Sequence, residues 1–242
     1  MSDERPVHPE PSPERYGRLR VCTDDLGPAG WVSEGPPGPG AFGTVAGVAA
    51  PGFAAYARLL HPAELGERPV RWDTVAAAHG TVVTPLTDWH EVIGVDRDYH
   101  NADEYGLPGV WDEHATEGPT PPVVARALIP LLARHTATPG RCWFGLWAGY
   151  GRRGFDGVPT FPMPNRDKVL LAGPLADAVS PVSEDEFAEL PDLWWPQDLA
   201  WCVGGDVDLV STYVGGSPEL IADLLAAPEL EAHPVLPGDR LG

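Results

Sequence analysis

The stretch LAWCVGGDVDLVSTYV (residues 199–214) decides the fold. Two apolar runs, Leu199–Gly204 and Val207–Val214, flank Gly204-Gly205-Asp206. Gly and Asp are the residues that tight hairpin turns favour. The spacing predicts two adjacent antiparallel strands. Immediately afterwards, Ser217-Pro218-Glu219 places a hydroxyl cap before a proline at the first helical position. Leu220, Ile221, Leu224 and Leu225 then fall on one helical face, and Pro228 lies beyond its end.

Working outward, Lys168–Gly173 and Cys142–Ala148 are short, nearly continuous apolar runs, as expected of strands covered on both faces. Thr120-Pro121-Pro122 opens a helix in which Val124, Leu128, Leu131, Leu132 and His135 share a face. Pro130 inside it removes one ladder hydrogen bond and predicts a kink. Residues 70–80 predict another helix, with Trp72, Val75, Ala76 and His79 on one side and Gly80 as its C-terminal stop. Ser183-Glu184-Asp185-Glu186 has the spacing of a capping box. Phe53–Leu60 fits either a strand or a short helix. Helices and late-clustered strands with short links predict an α+β fold: a single domain, residues 16–242, with a largely antiparallel sheet covered by a few helices. Many Gly/Pro-rich loops are expected from 28 glycines and 29 prolines in 242 residues. Residues 1–15, with Pro6, Pro9, Pro11 and Pro13, read as a disordered lead. Half of residues 27–52 are Gly or Pro, which predicts a long loop around short strands and no helix. Residues 84–119 are acidic and aromatic without a sustained period, and read as an irregular segment.

Charge bounds the partners. Sixteen Lys and Arg stand against 35 Asp and Glu, a net charge of −19. A polyanion of this kind repels nucleic-acid backbones and anionic membranes, so neither is expected as a partner. No apolar run approaches a membrane span, and no leader segment is apparent, which suggests a cytoplasmic setting. Three cysteines, Cys22, Cys142 and Cys202, neither make a disulfide framework nor form a CxxC pair. Lys168 is the only lysine.

The strings RHTATPGRCWFGLWAGYG (134–151), DLWWPQDLAWCV (192–203) and DLVSTYVGGSPELIADLLAAPELEAHPV (208–235) resemble a Trp-rich family of uncharacterised proteins from high-GC bacteria. GFAAYARLLHP (52–62) and VRWDTVAAAHG (70–80) are similar to the same family. The resemblance implies a shared fold and carries no activity.

Candidate chemistry is sparse. Asp88, His90, Glu91, Asp96, Asp98, His100, Asp103, Glu104, Asp112, Glu113, His114 and Glu117 offer N and O donors. The calcium pattern begun at Asp96-x-Asp98 fails at Asn101 and Leu107, where Gly and Glu are required. No metal site and no cofactor are expected. Asp206-x-Asp208 on a strand would aim two carboxylates at one cation or sugar hydroxyl. Trp143 and Trp147 alternate with Gly145 and Gly149, so a flat ring beside bare glycine would form a platform for a small molecule. Trp194 and Trp195 carry a loop signal and would complete the wall or face a partner. Cys142 and Cys202 read as structural thiols. Gly215-Gly216-Ser217 lacks the lysine of a phosphate loop.

Three functions compete, the third and least favoured being a divalent-cation protein using residues 88–117. The first is an acidic binding protein engaging a basic protein partner through segment 84–119 and Trp194-Trp195. The second is a small-molecule enzyme or binder with an aromatic cleft, using Asp206 or Asp208 as base or ligand.

Overall fold

The computed structural model describes residues 14–33, 43–95, 106–150, 155, 157–163, 166–185 and 188–241. In chain order the elements are β1 (Arg15–Tyr16), β2 (Leu19–Val21), α1 (Gly30–Ser33), α2 (Val45–Val48), β3 (Ala55–Leu60), β4 (Ala63–Leu65), β5 (Arg68–Val70), α3 (Trp72–His79), α4 (Trp89–Ile93), α5 (Pro122–Arg134) and β6 (Cys142–Trp147). There follow β7 (Thr160–Phe161), β8 (Lys168–Gly173), α6 (Ser180–Glu184), β9 (Leu193–Pro196), β10 (Cys202–Gly204), β11 (Ser211–Gly216), α7 (Pro218–Ala226) and β12 (Ala232–Val235).

One sheet carries ten strands in the order β1-β2-β8-β6-β9-β10-β11-β3-β12, with β7 paired to β8. Every pairing in it is antiparallel. With helices on both faces, this is a single α+β domain. The β10–β11 hairpin sits inside the sheet in the register Cys202↔Gly215, Val203↔Val214 and Gly204↔Tyr213. Its loop is longer than two residues: residues 205–210 connect the strands, and β11 runs on through Gly215 and Gly216. β3 is a strand, held between β11 and β12.

Alternation along the strands sorts side chains to two faces. Cys142, Phe144 and Leu146 of β6 join Val169 and Leu171 of β8, Trp194, Val203 and Val214 beneath α5 and α7. The opposite face packs Leu170, Leu193, Trp195 and Cys202 against Trp31, Val32 and Phe53. A satellite core gathers Trp72, Trp89 and Trp111 between α3, α4 and the β4–β5 hairpin. Trp89 meets both other rings edge-on, at 5.2 and 5.4 Å.

Several expectations need revision. Residues 27–52 hold a 3-10 turn, α1 and α2, because single helical turns suffice to bury Ala29, Val32, Val45 and Val48. Residues 34–42 lie outside the described residues. Segment 84–119 contains α4, closed by the reciprocal Asp88–Glu91 capping box and by Gly94 at φ 71°. Its Trp89 and Trp111 are core residues. Ser183 lies inside α6 and bonds back to the Val179 carbonyl, so it caps nothing. Strand β1 already begins at Arg15, and residues 1–13 of the expected lead lie outside the described residues. Helix α5 continues through Pro130. Helix α3 starts at Trp72, where Glu231, distant in sequence, accepts the free N–H groups of Trp72 and Asp73. No helix among the described residues is long and apolar enough to cross a membrane.

Candidate functional site

Two polar assemblies stand out from this frame. The first lies at one end of β6, β8 and β9, where the strands open into loops. Asp192 precedes β9 and is 1% exposed. Its Oδ2 accepts the Trp147 N–H at 2.6 Å, and its Oδ1 accepts the Tyr150 hydroxyl at 3.1 Å. Lys168 Nζ stands 3.4 Å from the same Oδ2. Burial pushes the Asp192 carboxyl up from its usual range, and the Lys168 ammonium together with the donated hydrogen bonds works against that rise. Burial, then the Asp192 charge, pushes the Tyr150 phenol well above its ordinary value. Tyr150 therefore remains an O–H donor at any working pH.

Beside it, Arg166 Nε donates to both oxygens of Asp206 at 3.2 Å. Another guanidinium nitrogen pairs with Asp208. The guanidinium also lies over the Trp147 ring, 4.6 Å from its centroid. Burial alone would lower the Arg166 pKa, but the two carboxylates outweigh it and the net direction is up. Asp206 is buried, whereas the Asp208 side chain is 71% exposed. Both carboxylates pair with one cation. The cation is this chain's own arginine, and they reach it from a loop and not from a strand.

The tryptophan platform is filled from within. The space beside Gly145 is taken by Phe161 and the Lys168 stem, and the Trp147 ring folds over Gly149. Trp143 is half-buried against Ala172 and the core face holding Trp195. Trp194 and Trp195 are both fully buried residues of β9, which corrects the expectation that a loop exposes them. A central strand covered on both faces hides alternate side chains equally well. The Trp194 indole N–H donates to the Pro191 carbonyl, and that of Trp201 to Leu132. Among the described residues, no group of three or more His, Cys, Asp or Glu is placed to hold a metal ion. Of the acidic donors named from sequence, Asp96, Asp98, His100, Asp103 and Glu104 lie outside the described residues.

Sequence reasoning missed Tyr150, Arg166, Lys168 and Asp192. The available signal was a solitary lysine opening an apolar strand, with an aspartate just before the Trp194-Trp195 pair.

The second assembly is a carboxylate face. The β4–β5 hairpin is locked to residues 112–113 by backbone bonds from Glu64 N–H to the Glu113 carbonyl (3.0 Å) and from Asp112 N–H to the Glu64 carbonyl (2.8 Å). Glu64, Glu67, Asp112 and Glu113 are thereby held together. Burial first, and then the charges of Glu113, Asp112 and Glu67, push the Glu64 carboxyl upward. None of the four takes part in an ion pair among the described residues.

Compared with known proteins, the chain matches no family model, no curated protein and no solved structure.

Proposed function

We propose that this protein is an acidic binding protein that engages a basic protein partner through the carboxylate face of β4–β5 and residues 112–113. The carrying observation is the crowding of Glu64 by Glu113, Asp112 and Glu67 on a hydrogen-bonded backbone platform, with no basic side chain paired to them among the described residues. Like charges held together raise each other's free energy, and a cationic partner relieves that cost. The net charge of −19 adds long-range attraction toward such a partner and quickens encounter. The aromatic pair Trp194-Trp195 plays no part in this surface, because both rings are buried. The alternative, a small-molecule site built on Asp206 and Asp208, is less favoured, since Arg166 already neutralises both and covers Trp147.

The test is affinity capture at low salt, followed by a salt series with each purified basic protein retrieved. Binding should weaken steeply as salt rises. It should weaken further in the Glu67→Lys and Glu113→Lys variants, both at exposed positions. Retrieval of no basic protein at low salt, or binding indifferent to both variants, overturns this reading.

A further inference from the structure

Lys168 is the only lysine in a chain whose other long basic side chains are arginines. It opens β8, paired with Trp147 on one side and Phe161 on the other. Its side chain turns inward and the residue is 4% exposed. The stem lies against Gly145, where an added Cβ would come 3.0 Å from Lys168 Cδ. Nζ is within ion-pair range of Asp192, yet it makes no well-aligned hydrogen bond among the described residues. Beyond the Asp192 contact at 3.4 Å, this buried ammonium has donor capacity that no described group takes up, an arrangement that costs stability unless a further group is received there.

A cation serving structure alone is better supplied by arginine, whose fork spans a carboxylate and never loses its charge. Arg166 does this for Asp206 and Asp208 two residues away. What lysine adds is an amine that can give up its proton and act as a nucleophile. Asp192 is placed to take that proton, and Tyr150 holds Asp192 in position.

We propose that Lys168 captures a small uncharged aldehyde or ketone as an imine. The ammonium first passes a proton to Asp192. The Nζ lone pair then forms a bond to the carbonyl carbon, and the C=O π pair moves onto oxygen. That oxygen takes the proton held by Asp192, and the new N–C centre returns one proton to the carboxylate, leaving a carbinolamine. Asp192 then protonates the hydroxyl, the C–O bond breaks, and water departs as nitrogen closes the C=N bond. Nothing is oxidised or reduced. The protonated imine replaces the ammonium beside the Asp192 carboxylate, so the charge pairing is unchanged. The carbonyl compound is uncharged because Lys168 and Arg166 face three carboxylates, Asp192, Asp206 and Asp208, and this excess disfavours an anion.

The experiment does not depend on the basic-partner reading. The full chain is incubated with acetaldehyde and cyanoborohydride, which reduces an imine to a stable ethyl amine. Acetaldehyde is chosen for size, since the Lys168 side chain is only 5% exposed. Peptide mapping separates Lys168 from the α-amine. Nα-acetyl-lysine amide serves as the solvated reference. Lys168 should be ethylated at least about tenfold faster than the reference, and Asp192→Asn should remove that advantage. If Asp192→Asn does not fold, Tyr150→Phe, which keeps the ring, replaces it and should slow the reaction. Modification of wild type at or below the reference rate, or only after denaturation, overturns the proposal and leaves Lys168 a structural ion-pair partner.

Discussion

The imidazole Nε2 of His61 lies 2.9 Å from the hydroxyl of Thr212, in the interior between β3 and β11. On the other side, Nδ1 is 2.8 Å from the Thr116 carbonyl. A carbonyl only accepts, so the neutral ring carries its proton on Nδ1, toward Thr116. Burial first, with the charge of Arg58 added, lowers the His61 pKa to about 4 against the Thr116 bond that raises it. A histidine depressed in the fold contributes stability above its unfolded value of about 6.5 and loses it as pH falls toward the folded value. The loss across that window should be about 3 kcal/mol. Urea midpoints of wild type and His61→Gln, followed from pH 7 to pH 4, check it. The gap between the two proteins should narrow with acid.

Gly204 is required by close approach. An added Cβ would stand 2.1 Å from the Val48 carbonyl oxygen and 3.0 Å from Ala49 Cα, both backbone atoms of the α2 turn. Backbone cannot swing aside as a side chain does. Gly204→Ala should therefore cost about 2–3 kcal/mol, measured by chemical denaturation, because overpacking forces α2 off the sheet.

Asp206 and Asp208 share Arg166 but differ in exposure. Asp208→Asn should change stability by less than about 1 kcal/mol, as exposed pairs do. Arg166→Ala should cost about 2–3 kcal/mol, since it leaves the buried Asp206 carboxylate without its counter-charge. Thermal unfolding of the two variants checks the ranking. Equal effects would contradict it.

Helix α3 depends on a cap from elsewhere. Removing the Glu231 carboxylate leaves two N–H groups at its start unpaired. Glu231→Ala should cost about 1–2 kcal/mol. Hydrogen exchange should quicken in residues 72–79 ahead of the main sheet.

The three thiols are all free and buried. Burial pushes Cys142 up to about 12 and raises Cys202 further still. The native protein should show no fast-reacting thiol toward a disulfide reagent, and three after denaturation.

Much of the architecture is legible along the chain. Lys168–Gly173 reads as a strand because four apolar residues without a helical period need cover on two sides, and β8 has those bounds. The Ser217 cap and the Pro218 start of α7 are likewise local chemistry. Gly80, in the left-handed conformation at φ 73°, ends α3 for a reason visible in its own residue type. Even α4, overlooked, carried its Asp88-x-x-Glu91 signature.

By itself, then, the amino-acid order determined the elements whose causes are local: caps, stops, apolar runs and the overall negative charge. Tertiary structure alone decided which strands neighbour which, that Trp194 and Trp195 are both hidden, and that Asp206 and Asp208 meet Arg166. It alone brought Lys168 to Asp192 across β8 and β9. Burial and charge pairing depend on distances between residues far apart in sequence. Those distances are set by the packing of the whole sheet, and no short window of sequence contains them.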